Sequence, residues 1–169
     1  MDFDEKIVLW QPFFTTVAAV SATLVGLLFV SISLNRERIS AGANRELMRL
    51  ARRSFSDFLL VLLIALFFLI PRQGQLALSL ELAALGVFRV RWMTLQIIHA
   101  IKSEHKPANL VVVREYLLPS LSVVGIFCAS CGIYYYGILT VYYCVVPVIA
   151  VMLTRASWNA WLLMLLERE

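Results

Sequence analysis

From Tyr116 to Thr154 the chain carries no charged side chain, with Glu115 before the run and Arg155 after it. Each charge placed in hydrocarbon costs about 3 kcal/mol on insertion scales, so a long charge-free run marks chain embedded in a membrane. At about 1.5 Å of rise per residue, one helix through this run would be about 58 Å long, roughly twice the ~30 Å hydrocarbon core. It must cross, turn and cross back. Composition agrees, since 61% of the 169 residues are hydrophobic and only 15% are charged, with a mean hydropathy of +0.82. A soluble domain of this length needs far more polar surface over its core, and the length suits one bundle better than two domains.

A cleavable signal peptide is not expected. Asp2, Asp4 and Glu5 stand where a signal carries cations, and the apolar stretch from Ile7 to Asn35 is too long for an h-region. The net charge of +4 does not point to nucleic acid, because the cations sit in short segments beside apolar spans, where they set topology. The three cysteines, Cys128, Cys131 and Cys144, all fall inside the charge-free run, so no loop pair suggests a disulfide framework.

The pattern predicts an all-α membrane protein, a single domain over residues 1–169 built as a bundle of five transmembrane helices. The spans run from Phe13 to Leu34, Phe55 to Ile70, Gln75 to Phe88, Leu117 to Tyr136 and Ile138 to Leu166, with Gly137 near the last turn. Pro71-Arg72-Gln73-Gly74 is a tight-turn sequence, which predicts a hairpin of spans two and three. Span three is the shortest, carries Glu81, and requires Arg72 and Arg89 at its ends to snorkel.

Charge asymmetry sets the orientation. The segment after span one holds Arg36, Arg38, Arg45, Arg49, Arg52 and Arg53, and the segment after span three holds Arg89, Arg91, Lys102, Lys106 and Arg114. Five crossings put both on one face, which the positive-inside rule makes cytoplasmic; four would separate them. The N-terminus is then outside and the C-terminus cytoplasmic. The aromatic residues fall at the same two boundaries: Trp10, Phe13, Phe14 and Tyr134, Tyr135, Tyr136, Tyr142, Tyr143 at the outer one, and Trp92, Tyr116, Trp158 and Trp161 at the inner one. Arg45 to Phe55 reads as helix continuing into span two, with the Asn44 to Leu50 stretch on the membrane surface and its arginines toward anionic headgroups.

Small residues recur at helical spacing. Ala18, Ala22 and Gly26 share one face of span one with Ser21 alongside, and Gly125 and Ala129 repeat the pattern on span four near Gly132. Such seams let helices approach closely, either inside the bundle or between copies. Ser31, Ser33 and Asn35 at the inner end of span one are candidates for a polar path, or for ordinary bonding to helix carbonyls. Glu81 lies about 9 Å into span three; an intramembrane carboxylate marks an ion or proton path unless it reaches the interface or neighbouring hydroxyls satisfy it. Arg53 and Asp57, four apart, predict an ion pair on one helix face at the membrane boundary. Arg155, able to snorkel, and Asn159 one turn later read as boundary residues or as facing a cytoplasmic vestibule.

Cys128-Ala129-Ser130-Cys131 is a C-x-x-C on a membrane helix, with Cys144 across the turn. It is similar to the pairs of quinone-linked thiol oxidoreductases of the DsbB and vitamin K epoxide reductase kind, but those also use a loop cysteine pair absent here. Packing cysteines fit better. His99 and His105 with Glu104 lack the spacing of metal ligands. No phosphate loop, nucleophile elbow or H-E-x-x-H appears, so no enzyme, cofactor or metal is expected.

The stretch from Ala22 to Asn35 (ATLVGLLFVSISLN) resembles the first helix of a group of small, uncharacterised bacterial multi-pass inner-membrane proteins, and Trp158-Asn159-Ala160-Trp161 resembles their closing helix. The resemblance implies a bacterial inner membrane and no particular activity. Arg52 with Phe55-Ser56-Asp57 is similar to the R-x-x-x-F-S-D signature of a family of potassium channels, one residue short, on the second span rather than the first and with five spans instead of six. There the likeness implies that Ser56 and Asp57 anchor a network near a pore. The leading functional expectation is a homo-oligomeric channel or ion-conducting protein. The alternative is a non-catalytic accessory subunit of a larger membrane complex, and a thiol oxidoreductase using Cys128 and Cys131 comes third.

Overall fold

The computed structural model describes residues 7–34, 45–101, 118–137 and 141–166, and every regular element among them is helical. In chain order these are α1 (Gln11–Leu34), α2 (Arg45–Leu69), α3 (Gln75–Ile101), α4 (Leu118–Tyr136), a π-helical turn (Val141–Val145) and α5 (Val146–Leu166).

Local chemistry explains the boundaries. Pro12 and Pro119 sit in the first turns of α1 and α4, where a missing N–H costs nothing because those donors have no helical partner. α2 stops at Leu69, two residues before Pro71, and Gly74 opens α3 by accepting from the Leu78 N–H at 3.1 Å. Between them Arg72 takes a left-handed backbone, φ 56°. α4 ends at Gly137, also left-handed at φ 66°, whose N–H returns to the Ile133 carbonyl at 3.0 Å. The wide turn at Val141–Val145 precedes Pro147, which has no N–H for the Tyr143 carbonyl and crowds it.

The chain forms two compact units, one within 72–148 and one formed by 5–71 with 149–169. In the second unit α1 and α2 run antiparallel. Phe14 stacks on Phe68 at 4.1 Å at one end, Leu28 meets Phe58 further along, and Ile32 packs on Ala51 at the other end. The buried positions of α1 are Phe14, Val17, Ser21 and Leu28, a helical stripe. α5 joins this unit through Ala156 and Leu153. In the first unit α3 and α4 are antiparallel, with the Phe127 ring over Gly86 and Val148 pressed against Gly125.

Three stretches are long and apolar enough to cross a membrane: Gln11–Ser33, Pro119–Tyr136 and Tyr143–Trp161. They make this a helical membrane protein. Several expected boundaries move. α2 does begin at Arg45, as the helix reading of Arg45 to Phe55 expected, and runs on through the apolar span to Leu69. α3 does not end near Phe88 but continues to Ile101, because nothing in Arg89-Val90-Arg91-Trp92 breaks a helix. Arg89 consequently does not snorkel at a terminus; it is buried within a continuous helix. Span five is not one unbroken α-helix, since the π turn precedes Val146.

Candidate functional site

Two groups of buried polar side chains stand out, one in each unit. In the unit containing α1, α2 and most of α5, Asp57 is 1% exposed and its Oδ2 lies 2.7 Å from Arg155 Nη2. One turn earlier on α2, the buried Ser54 hydroxyl donates to the Ala156 carbonyl at 3.2 Å. Asn159, one turn beyond Arg155, is also buried. Phe58, Leu28 and Ala156 close an apolar shell beside these groups.

Asp57 was expected to pair with Arg53 on its own helix, and Arg155 to snorkel. Arg155 does not snorkel: it turns inward onto Asp57 from another helix, a geometry that lets a carboxylate remain in an apolar interior. Arg53 is half-buried one turn before Asp57, and Ser56 is half-buried beside it. The sequence signal for the Asp57–Arg155 contact was present but two-ended: each is a charge set within an apolar helical stretch, and nothing in their spacing joins them.

In the unit of α3 and α4, an amide–hydroxyl ladder joins the start of one helix to the end of the other. The Gln75 amide donates to the Ile133 carbonyl and to the Tyr134 carbonyl, the latter at 3.0 Å. Those carbonyls belong to the last turn of α4, where helical donors run out; Ile133 also receives the Gly137 N–H, and Gln75 adds a cap supplied by a neighbouring helix. One turn along, the Ser130 hydroxyl donates to the Ser79 carbonyl at 2.7 Å, and the Ser79 hydroxyl donates to Leu76 O at 2.9 Å. Gln73 donates to the Glu81 carboxylate. Glu81 is half-buried and thus has a partner eight residues back in sequence, reached across the turn at Gly74. Gln73 and Gln75 were not singled out from sequence; amides flanking the glycine that opens an apolar helix were the available signal.

The remaining candidates separate cleanly. On α4 the seam is internal: Ala129 is buried, and a Cβ on Gly125 would lie 2.3 Å from Val148 Cγ2. On α1 the seam is not internal. Ala18 is half-buried, but Ala22 is exposed and Gly26 has nothing within 4 Å of where its Cβ would be. The reason is rotational: α1 turns Val17, Ser21 and Leu28 toward α2, which leaves the Ala22–Gly26 ridge on its outer flank. Ser31 is half-buried, Ser33 is exposed, and Asn35 lies outside the described residues.

Two of the three cysteines are not packed as expected. Cys128 and Cys131 are exposed on α4, Cys144 is half-buried in the π turn, and all three are free thiols. The His99 side chain, with Glu104 and His105, lies outside the described residues. Among the described residues no group of three or more His, Cys, Asp or Glu side chains is placed to hold a metal ion. No known protein family, curated protein or solved structure matches the chain.

Proposed function

We propose that the chain is a non-catalytic integral membrane subunit that works by joining another membrane protein through the outer flank of α1. The observation that carries this reading is the open ridge of Ala22 and Gly26 on a helix apolar enough to cross the bilayer. Lipid offers helices no hydrophobic reason to associate, so close backbone approach over small residues becomes a main source of attraction. The polar contacts described in the two units serve their own helices: Asp57 with Arg155, Ser54 with α5, Gln75 with the end of α4, Gln73 with Glu81.

In this reading α2 and α3 also cross, giving five spans with the N-terminus outside and the C-terminus in the cytoplasm of a bacterial cell. Both arginine-rich segments then face anionic headgroups of the inner membrane. Purification from native membranes in mild detergent should recover larger membrane proteins in fixed ratio, and Gly26→Leu should release them. Recovery of the chain alone, or unchanged partners with Gly26→Leu, rejects the proposal. Reporter fusions near residues 45 and 105 should report the same compartment; different compartments would reject the five-span topology.

A second reading, a homo-oligomeric ion-conducting protein, is favoured by the exposed Ser33 hydroxyl. It lies two helical turns from Gly26 and so extends the open ridge into a polar end. Copies of α1 facing one another would line a path there, and Glu81 is a separate candidate polar group. A particle made only of this chain, with flux in liposomes altered by Ser33→Leu and Glu81→Gln, would decide for it. Electrical silence of such a particle would decide against it.

A further inference from the structure

We infer that Arg155 is the positioning residue that retains α2 in the apolar bundle, so that the unit of α1, α2 and α5 is completed only when its last helix docks. The inference is independent of any external partner.

It starts from the α2 sequence. The apolar part, Ser54 to Leu69, contains one ionisable group, Asp57, and that carboxylate is 1% exposed. A buried carboxylate with no counter-charge is expelled toward water or is protonated. Here Arg155, 2.7 Å away and itself only 12% exposed, brings a counter-charge from α5. The next residue, Ala156, accepts the Ser54 hydroxyl through its carbonyl. Two contacts one turn apart on α2, meeting consecutive residues on α5, set both the rotation of α5 and its height along α2. Phe58 and Leu28 beside Ala156 exclude water from this edge of the pair.

All of α3 and α4 lies between the two partners in sequence. During synthesis α2 is therefore made long before Arg155, and the Asp57–Arg155 contact forms only after α5 arrives.

The test uses the full chain in membranes, with α2 followed by alkylation of a cysteine placed at the exposed Met48 in a background where Cys128, Cys131 and Cys144 are serine. A membrane-impermeant maleimide reads how far the start of α2 has moved, and gel filtration in mild detergent reads the folded fraction. Arg155→Leu and Asp57→Leu should each lower the monodisperse fraction about tenfold, and each should change the alkylation rate at residue 48. The double variant Asp57→Leu with Arg155→Leu should return both readouts to within about twofold, because it removes the stranded charge together with its partner. Arg155→Lys, which keeps the charge, should also remain close to the parent.

Three results would overturn the inference. One is an Arg155→Leu protein indistinguishable from the parent. Another is a double variant as damaged as either single, which would mean that side-chain shape rather than charge matters. The third is an Arg53→Leu effect as large as that of Arg155→Leu, which would place the charge balance of Asp57 on α2 itself.

Discussion

Adding a single methyl at Gly125 should cost more than at Gly26 or Gly86, and the structure gives the size. A Cβ there would lie 2.3 Å from Val148 Cγ2, with Val148 Cβ at 3.7 Å. Carbon atoms rest about 3.5–4.0 Å apart, so the contact is more than 1 Å too short. Val148 has little room to yield by rotation, because a β-branched side chain in a helix strongly prefers one rotamer. Overpacking of this kind costs about 1–3 kcal/mol, and the upper end applies here. Against it stands the gain of replacing glycine by alanine inside a helix, about 1 kcal/mol. The net loss for Gly125→Ala is then about 2 kcal/mol, roughly a thirtyfold shift in the unfolding equilibrium.

Two other glycines calibrate the result. At Gly86 the new Cβ would sit 3.0 Å from the Phe127 ring, so clash and propensity should nearly cancel. At Gly26 nothing lies within 4 Å, so Gly26→Ala should be neutral or stabilising by up to about 1 kcal/mol. Reversible unfolding of the three variants in mixed micelles, followed by tryptophan fluorescence, should rank them in this order. Combining Gly125→Ala with Val148→Ala removes the clashing methyl and should recover most of the loss. A Gly125→Ala protein as stable as the parent, or no recovery in the double variant, would refute the close approach of α4 and the start of α5.

Further outcomes follow from other contacts. Arg72→Gly should stabilise by about 1 kcal/mol in the same assay, because a side chain at φ 56° carries a steric cost that glycine avoids. Gln75→Ala strips a donor from two carbonyls at the end of α4 and should destabilise by about 1–2 kcal/mol. It should also speed exchange of the Gly137 amide, which reports fraying of that turn; unchanged exchange would deny the cap. Cys128 and Cys131, exposed on a span-length helix, should be inert to a charged thiol reagent in intact vesicles and react after detergent extraction. Rapid modification in vesicles would place them in a water-filled cavity instead.

Much of the architecture was legible from residue order because lipid imposes a one-dimensional rule. A charge-free stretch of sufficient length must be helical and embedded, so α1, α4 and the helix after the π turn were found near their true positions. The same rule failed where charge sits inside a helix. Arg89 and Arg91 looked like an end, whereas backbone hydrogen bonding continues through them to Ile101.

Side-chain partnership was harder to read. Helical spacing brings Arg53 and Asp57 onto one face, and nothing in a linear sequence ranks that neighbour against a distant Arg155. The two small-residue seams look alike as text: Ala18-Ala22-Gly26 and Gly125-Ala129 share the same spacing. Which is internal depends on how each helix is rotated, and rotation is decided by the whole stripe of larger residues beside the seam. Val17, Ser21 and Leu28 turn the first seam outward, while Val148 fills the second. The sequence by itself determined that this chain is membrane-embedded helix and roughly where its helices lie, since burial of backbone and charge depends on local composition. Only the tertiary structure decided that Arg155 of α5 meets Asp57, what holds Glu81, and which face of α1 is left open, because those follow from the packing of residues far apart in the chain.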